Sequence, residues 1–355
     1  MTVVAVFASL GWCGLTGDRM AEASRPTVGC GTPWDLADGE GPGARRHKAL
    51  KVLMIGNSFS VCNVVHMPSV AESMGLRLDL ASLYISGCSL KRHWNNLVSN
   101  RLDAAYRPYA FDYRIGGVTN ANSGVAGGRP EGKARIGLLE AMKLSDWDVV
   151  TIQQSSSKSW RPETYHPWGD DLVAAIREAC PRAEIVLQET WSYTPWDRRL
   201  AQWGIDQQKM YDALHAAYAD FARKHALRVI PMGTAVQLWR RELPVRYAEN
   251  SFGGDVVGGR WTAAACQFKR QDGAWLPVCD VFHLGETGEY LQALVWTASL
   301  FGVDVAKCPY RPDWLDESLA VRLKKVARLA ADADRASGKV GSRHQKSVQG
   351  NRNEQ

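Results

Sequence analysis

Residues 50–60 read LKVLMIGNSFS, an apolar run ending at Ile55 that is followed by a glycine and a polar turn. A short apolar run bounded by a turn signal is typical of a buried strand. Helical spacing then extends over residues 64–74 and stops at Gly75, a residue that commonly ends helices. The sequence therefore predicts the order strand, turn, helix at the start of the folded unit.

The same alternation continues along the chain. Further extended segments are predicted at residues 78–85, 106–115, 148–152, 184–188 and 227–230. Helices are predicted at residues 90–98, 133–142, 172–180, 205–224, 287–301 and, roughly, 314–336. Strands that alternate with helices of this length predict an α/β protein with a mostly parallel sheet covered on both faces.

The composition is that of an ordinary globular protein. The chain has 355 residues, of which 45% are hydrophobic and 23% charged, with a formal net charge of +6. Its Lys and Arg residues neither cluster on one predicted face nor alternate with exposed aromatic residues, so we expect no nucleic-acid partner. The apolar stretch at residues 3–15 is too short to span a bilayer and resembles the core of a secretion signal, although no basic segment precedes it. We therefore expect a secreted or periplasmic protein without a stable membrane span, and leave a cytoplasmic one open.

Composition shifts suggest where the domains end. We expect a candidate signal segment plus disordered linker at residues 1–48, the main domain at 49–310 with an insertion at about 246–278, a C-terminal helix at 311–337, and a disordered tail at 338–355. Within the insertion, Asp272-Gly273 predicts the turn of a hairpin flanked by Cys266 and Cys279, which could be bridged in an exported protein. No Cys-x-x-Cys pair suggests a structural zinc site.

Two segments at opposite ends of the main domain read as halves of one catalytic site. Ser58 follows the first strand, and Asp280 and His283 stand three residues apart just before the last predicted buried helix. A serine hydroxyl becomes a good nucleophile when a histidine removes its proton and a carboxylate orients that histidine. We therefore predict Ser58 as nucleophile, His283 as general base and Asp280 as the orienting carboxylate.

Candidate oxyanion donors follow three predicted strands. The backbone N–H of Ser58 lies at a strand-to-helix turn, Gly87 follows the second strand, and Gln153 and Gln154 follow a third. Each donor in such a hole can contribute about 3 kcal/mol to transition-state stabilisation. Alternation along a strand sends the two glutamine side chains to opposite faces, so we expect at most one to face Ser58.

These segments resemble the sequence blocks of a known superfamily. Residues 55–60, residues 86–90 and the segment Asp280-x-x-His283-Leu284 look like the first, second and last blocks of the SGNH (GDSL-like) hydrolases. The order of residues 51–302 is similar to a bacterial branch of that superfamily catalogued as a domain of unknown function. The resemblance implies a flavodoxin-like three-layer α/β/α domain, a serine nucleophile, and esterase or lipase activity that is commonly deacetylation of carbohydrates, with no metal or organic cofactor.

The third block departs from the superfamily pattern. Relatives carry Gly-x-Asn-Asp there, and the Asn side chain donates to the oxyanion, whereas this chain reads Gln153-Gln154-Ser155. A glutamine can supply the same amide hydrogen from one methylene further away. Asn57 also stands where many relatives carry an aspartate, which removes a charge beside the nucleophile.

Tryptophan is the clue to the substrate, because 14 are present and flat indole rings can stack on sugars. Five fall in or beside loops that follow predicted strands, and one or more of them is a candidate sugar contact: Trp160, Trp168, Trp191, Trp196 and Trp203. Trp191 and His93 are the substrate-binding residues that we predict. Arg114, Lys158 and Arg161 could meet an anionic group, and we interpret each as a solvated charge.

The sequence therefore predicts an enzyme, a serine ester hydrolase that removes short acyl groups, most simply O-acetyl, from a saccharide through an acyl-enzyme on Ser58. A lipase or acyltransferase with the same residues is an alternative. So is a catalytically inactive carbohydrate-binding domain, for which the altered third block is the argument.

Overall fold

The structure is a computed structural model. It describes residues 47–115, 118–119, 134–195, 197–242, 256–257, 267–271, 274–278 and 282–350. The strands are β1 (Ala49–Gly56), β2 (Arg77–Tyr84), β3 (Tyr109–Ile115), β4 (Val118–Thr119), β5 (Arg135–Ile136), β6 (Val149–Ile152), β7 (Glu184–Gln188), β8 (Arg228–Ile230), β9 (Gln267–Gln271) and β10 (Ala274–Val278). The helices are α1 (Asn63–Ser73), α2 (Leu90–Leu102), α3 (Leu138–Lys143), α4 (Trp168–Ala179), α5 (Arg198–Gln202), α6 (Gln207–His225), α7 (Met232–Glu242), α8 (Glu286–Phe301) and α9 (Glu317–Gly350).

The main sheet is mostly parallel, as the sequence predicts. Its strand order is β4-β3-β2-β1-β6-β7-β8, and β5 pairs with β3. Strands β2, β1, β6, β7 and β8 run parallel, whereas β3 pairs antiparallel with β2 and also with β4 and β5. Taken in chain order, the parallel strands have the spatial order second, first, third, fourth, fifth, which is the flavodoxin-like arrangement.

Strand β1 lies at the centre of the sheet because its sequence can be buried on both faces. Val52, Leu53, Met54 and Ile55 are all at most 1% exposed. Ile55 pairs with β2 on one side and with Ile152 of β6 on the other, so the carboxyl ends of these strands lie side by side. The chain leaves β1 for β2 on one side and later returns to β6 on the other, which creates the crevice where ligands bind in such sheets.

Helices cover the sheet in two groups. Helix α8 packs against α1 and α9, and α7 also packs against α9, while α2 packs against α3 and α4. From Gly288 to Phe301 every residue of α8 is buried. Because this stretch has no exposed face, α8 contributes to the core, and its sequence is predominantly apolar although it includes buried polar residues such as Gln292.

Several elements differ from the sequence-based expectations. The predicted helix at 133–142 is instead the short strand β5 followed by α3, and α5 and α7 had no counterpart among the predicted helices. The backbone is helical to Gly350, where we expected a disordered tail from residue 338. A low-hydrophobicity segment cannot build a core, but it can extend a helix that is already nucleated, because each added residue gains one backbone hydrogen bond.

The hairpin expected in the insertion is present. Gln271 pairs antiparallel with Ala274 across a two-residue connection, which itself lies outside the described residues. Val257, upstream in the same insertion, forms an isolated bridge with Leu284. Cys266 and Cys279, for which a disulfide was considered, lie outside the described residues.

A charged cluster joins the start of α4 to the end of α6. The carboxylate of Asp170 lies 2.8 Å from His166 Nδ1, 2.6 Å from His225 Nε2 and 3.0 Å from Lys224 Nζ. Partial burial acts to raise the pKa of this carboxyl, but the hydrogen bonds from its three neighbours outweigh it and lower the pKa to about 2. Asp170 therefore stays ionised while these two helix ends are together.

Candidate active site

The turn that carries Ser58 follows β1 directly, and we call it the nucleophile turn after the predicted role of Ser58. A Cβ placed on Gly56 would clash with Ser60 Oγ, so a larger residue here would require the Ser60 side chain to move. The carbonyl of Asn57 accepts hydrogen bonds from the N–H groups of Ser60 and Val61, at 3.1 and 3.3 Å. The side-chain Oδ1 of Asn57 accepts a hydrogen bond from Phe59 N at 3.0 Å. These bonds leave Ser58 at the apex of the turn.

Asn57 also ties together the ends of three strands. Its Nδ2 donates to the carbonyl of Cys88 at 2.9 Å, and its Oδ1 accepts from Gln153 Nε2 at 2.5 Å. The polar segments after β1, β2 and β6 thus meet at one edge of the sheet, as their positions in the sequence predicted. Asn57 serves as a structural anchor there, because both ends of its amide are engaged.

Ser58 and His283 meet across 225 residues of sequence. Ser58 Oγ lies 2.8 Å from His283 Nε2, and both side chains are half-buried. When the hydroxyl donates to Nε2, the imidazole proton resides on Nδ1, which is the nitrogen that an orienting carboxylate would contact. Asp280, the predicted orienting residue, lies outside the described residues.

The segment that carries His283 is held by the insertion. Leu284 bridges to Val257, and Gly285 N donates to the carbonyl of Val256 at 2.9 Å. Val256 and Val257 are fully buried. The imidazole therefore projects from a short anchored segment immediately before α8, which fixes its approach to Ser58.

The predicted oxyanion donors include two backbone N–H groups that have no hydrogen-bond acceptor among the described residues. They are the N–H groups of Ser58 and Gly87. Gly87 has φ +59°, a left-handed conformation that favours glycine, and it is exposed at the end of β2. Both N–H groups therefore remain candidates for the oxyanion donors that the sequence predicts.

Gln153 and Gln154 point to different places. Gln153 donates to Asn57 in the nucleophile turn, as described above, so it supports that turn. The Gln154 side chain accepts from Leu90 N at 3.1 Å and donates to the carbonyl of Thr164 at 3.0 Å. The structure therefore corrects the expectation for Gln154, because its amide is consumed in joining β6 to α2 and to the loop before α4.

His93 and Trp191 are buried rather than open to substrate. His93 is fully buried, with Nδ1 2.9 Å from the Tyr109 hydroxyl, and its burial lowers its pKa to about 3. Nearby Cys88 is also buried, which raises the pKa of its thiol to about 12, so the two form no reactive ion pair. Trp191 is 1% exposed. The prediction that these two residues contact substrate is corrected by their burial.

Trp191 instead links the two halves of the site. Its ring stacks on Phe59, the residue after Ser58, with centroids 4.1 Å apart. Its indole N–H donates to the carbonyl of Phe282, the residue before His283, at 2.8 Å. The Trp191 side chain therefore contacts both Phe59, which follows Ser58, and Phe282, which precedes His283.

Two glutamines that the sequence analysis did not single out fix the Phe59 peptide. Gln188 Nε2, at the end of β7, and Gln292 Nε2, in α8, donate to the Phe59 carbonyl at 2.5 and 2.6 Å. Turning either amide over would place its oxygen against the Phe59 oxygen, so both must donate. A glutamine within the predominantly apolar sequence of α8 was the available signal, since a buried polar side chain requires a partner.

The described residues contain no cluster of His, Cys, Asp or Glu side chains arranged to hold a metal ion. In the same part of the chain, no helix has the length and apolar character needed to cross a membrane.

Comparison with known proteins places the chain in a family. A family model described as a domain of unknown function, DUF4886, matches residues 51–274. The chain belongs to the DUF4886 family. A structure of a DUF4886 family protein from Bacteroides uniformis is similar to this chain, with 25% identity and a TM-score of 0.63 over 79% of this chain and 94% of that one.

More distant likenesses lie among ester hydrolases. A protein from Slackia heliotrinireducens that has been assigned to the SGNH hydrolases shares 19% identity, with a TM-score of 0.41 over 70% of this chain and 97% of its own. A family 3 carbohydrate esterase of Clostridium thermocellum shares 11% identity, with a TM-score of 0.35 over 70% of this chain and 94% of its own. Among curated proteins, none matches this DUF4886 chain.

Proposed function

We propose that this chain is a serine ester hydrolase of the SGNH type. The observation that carries the proposal is the 2.8 Å separation of Ser58 Oγ and His283 Nε2 at the carboxyl edge of the sheet. A nucleophile within hydrogen-bonding distance of a base, on a strand-to-helix turn with free backbone donors, is the arrangement that acyl transfer requires.

Acylation begins when His283 Nε2 takes the proton from Ser58 Oγ as the oxygen bonds to the acyl carbon. The carbonyl electrons move to its oxygen, and the N–H groups of Ser58 and Gly87 are the donors for that oxyanion. When the carbonyl re-forms, the bond to the alcohol oxygen breaks and His283 returns the proton to the departing alcohol. The product of this half-reaction is an ester of Ser58.

Deacylation repeats the steps with water. His283 takes a proton from a water molecule whose oxygen bonds to the acyl carbon, and the second tetrahedral intermediate releases Ser58, which regains its proton from the imidazolium. Asp280 is proposed to accept a hydrogen bond from Nδ1 and to stabilise the imidazolium formed in both halves. The whole cycle uses side chains and backbone groups of this chain.

The substrate that we propose is a short acyl ester, most simply O-acetyl, on a saccharide. The support for it is the resemblance of the sequence blocks to the SGNH hydrolases, many of which deacetylate carbohydrates. A lipase would prefer longer acyl chains, so the chain length of the best substrate separates the two possibilities.

The test is hydrolysis of p-nitrophenyl acetate, butyrate and octanoate by the full-length protein. We expect the acetate to be the best substrate, and Ser58→Ala and His283→Gln each to lower kcat by about 10⁴-fold or more. Ser157→Ala, on the loop after β6, serves as the matched control and should keep full activity. A fluorophosphonate probe should label the wild type and Ser157→Ala but not Ser58→Ala, as read by mass spectrometry.

Two results would overturn the proposal. Hydrolysis that survives Ser58→Ala would mean that another group is the nucleophile. Absence of both ester hydrolysis and fluorophosphonate labelling in a folded protein would favour a binding domain built on the same scaffold.

A further inference from the structure

A surface of aromatic and arginine side chains extends from the candidate active site. It consists of half-buried residues from the loop after β6, from α5 and the residue that follows it, and from the segment before α8. We call it the aromatic–arginine face, and its members are Trp160, Arg161, Arg199, Trp203 and Phe282.

The face is continuous with the catalytic base. The Phe282 ring lies 4.1 Å from that of His283 and 5.4 Å from that of Tyr193, which is buried beneath the face. Tyr193 lies 5.7 Å from Trp203, whose ring in turn lies 5.8 Å from the guanidinium of Arg161. A series of ring contacts therefore connects Arg161 with His283.

The platform beneath the face is braced. The Tyr193 hydroxyl lies 2.9 Å from Ser156 Oγ, which joins the loops after β6 and β7. Arg199 makes a two-pronged ion pair with buried Asp197, and its guanidinium also lies 4.2 Å from the Phe282 ring. The charge of Arg199 is therefore neutralised from within the protein, and this residue acts mainly as a support for the ring next to His283.

Arg161 differs from Arg199 because no carboxylate pairs with it in the described residues. Its guanidinium lies 4.4 Å from the centre of the Trp160 ring and packs beside Trp203. A cation–π contact engages one side of the guanidinium, and N–H donors that point away from the ring can still bind a carboxylate. Lys158, on the same loop, adds a second cation that is exposed, and exposed Glu163 is the nearest acidic residue in sequence.

We propose that the aromatic–arginine face binds a saccharide that carries a carboxylate, such as a chain of uronic acid residues. Arg161 pairs with the carboxylate, and the exposed parts of Trp160 and Trp203 contact the C–H faces of the sugar rings. The proposal rests on the proposed esterase function for its biological sense, since it names the acidic saccharide as the alcohol part of the ester.

A saccharide fits the face better than a nucleic acid does. Single-stranded nucleic acids also stack on aromatic rings, but their binding depends on several cations that track successive phosphates. This face has one unpaired arginine with one lysine beside it, which matches a single carboxylate per recognised unit. Lipid chains would leave the Arg161 guanidinium without a counter-charge.

The test is calorimetric titration of the full-length protein with three unesterified trisaccharides, trigalacturonate, trimannuronate and neutral xylotriose, and with an oligothymidylate for comparison. Arg161→Gln removes the proposed contact. Arg182→Gln is the matched control, because it removes an equally charged, exposed side chain that pairs with Asp146 beyond the amino ends of the strands. Circular dichroism checks that the variants are folded.

We expect at least one uronate trisaccharide to bind the wild type and Arg182→Gln equally, and to bind Arg161→Gln about tenfold more weakly or worse, which is the usual loss for a hydrogen bond to a charged group. Arg161→Lys keeps the charge but loses the planar guanidinium, so its affinity for the uronate should lie between those of the wild type and Arg161→Gln.

The proposal fails if neither uronate binds, if Arg161→Gln binds them as the wild type does, or if an oligothymidylate binds more tightly than both. Because the ligands carry no ester, the titration gives its answer even if the protein proves inactive toward p-nitrophenyl acetate.

Discussion

Replacing Trp191 by phenylalanine should separate the positioning of His283 from general stability. The smaller ring can still stack on Phe59, but the indole N–H that donates to the Phe282 carbonyl at 2.8 Å is lost. The carbonyl precedes His283 by one residue, so its release loosens the segment that holds the imidazole against Ser58.

The size of the effect follows from the single hydrogen bond removed. Loss of this hydrogen bond to a buried carbonyl costs about 1–2 kcal/mol of unfolding free energy, which lowers Tm by a few degrees in a chain of this size. If a similar amount is lost from the transition state, kcat falls about tenfold. The KM for p-nitrophenyl acetate should change little, because Trp191 is too deeply buried to touch a substrate.

The control is Trp147→Phe. Trp147 is also buried, and its indole N–H donates to the Ala141 carbonyl at 3.0 Å, but it precedes β6 at the opposite end of the sheet. We expect the two variants to lose similar stability in urea titrations, and only Trp191→Phe to lose kcat. If the two variants lose kcat equally, or if Trp191→Phe retains full kcat, the reasoning is refuted.

Three further changes test other parts of the structure. Gly56→Ala should lower the free energy of unfolding in urea by about 1–3 kcal/mol, because the added methyl group meets Ser60. It should also lower kcat for ester hydrolysis under conditions where the variant is fully folded. Unchanged kinetics would argue against the tight turn. Gln292→Leu leaves the Phe59 carbonyl with one side-chain donor, so we expect the free energy of unfolding to fall by about 1 kcal/mol and kcat to fall severalfold. An unaltered kcat would show that this carbonyl does not position the nucleophile. The carboxyl of Asp170 has a pKa of about 2 in the folded chain and of about 4 when unfolded, so its stabilising contribution is present above pH 4 and is lost as the pH falls toward 2. Thermal melts across that range should fall more steeply for the wild type than for Asp170→Asn, and parallel curves would contradict the assignment.

The sequence was sufficient for the features that depend on local pattern. The apolar run of β1 and the turn after it predicted where Ser58 stands, and the alternation of strands and helices predicted a mostly parallel sheet. Because parallel strands end at a common edge, that topology also predicted that Asn57, Gly87 and Gln153 would come close together. The pairing of Ser58 with His283 followed from the same argument and from the superfamily resemblance.

Features that depend on which side chain fills which space could not be read from pattern alone. His93 and Trp191 each follow a predicted strand closely enough to reach an open site, and their burial is decided by Tyr109 and by Phe59, residues distant in sequence. The sequence does not distinguish the roles of Gln153 and Gln154. In the structure, the Gln154 side chain accepts a hydrogen bond from the backbone N–H of Leu90 in α2. Arg161 was interpreted as a solvated charge because its two tryptophan neighbours come together only in the folded chain.

The long sequence separation of Ser58 and His283 has a consequence for synthesis in the cell. A ribosome completes the nucleophile turn early, yet the imidazole that would activate the hydroxyl emerges 225 residues later. Nascent chains therefore carry an inert serine for most of translation. If the chain is split between β8 and α8 and the two fragments are co-expressed, we expect no ester hydrolysis until the fragments reassociate. The scaffold is therefore suitable as a reporter of fragment complementation.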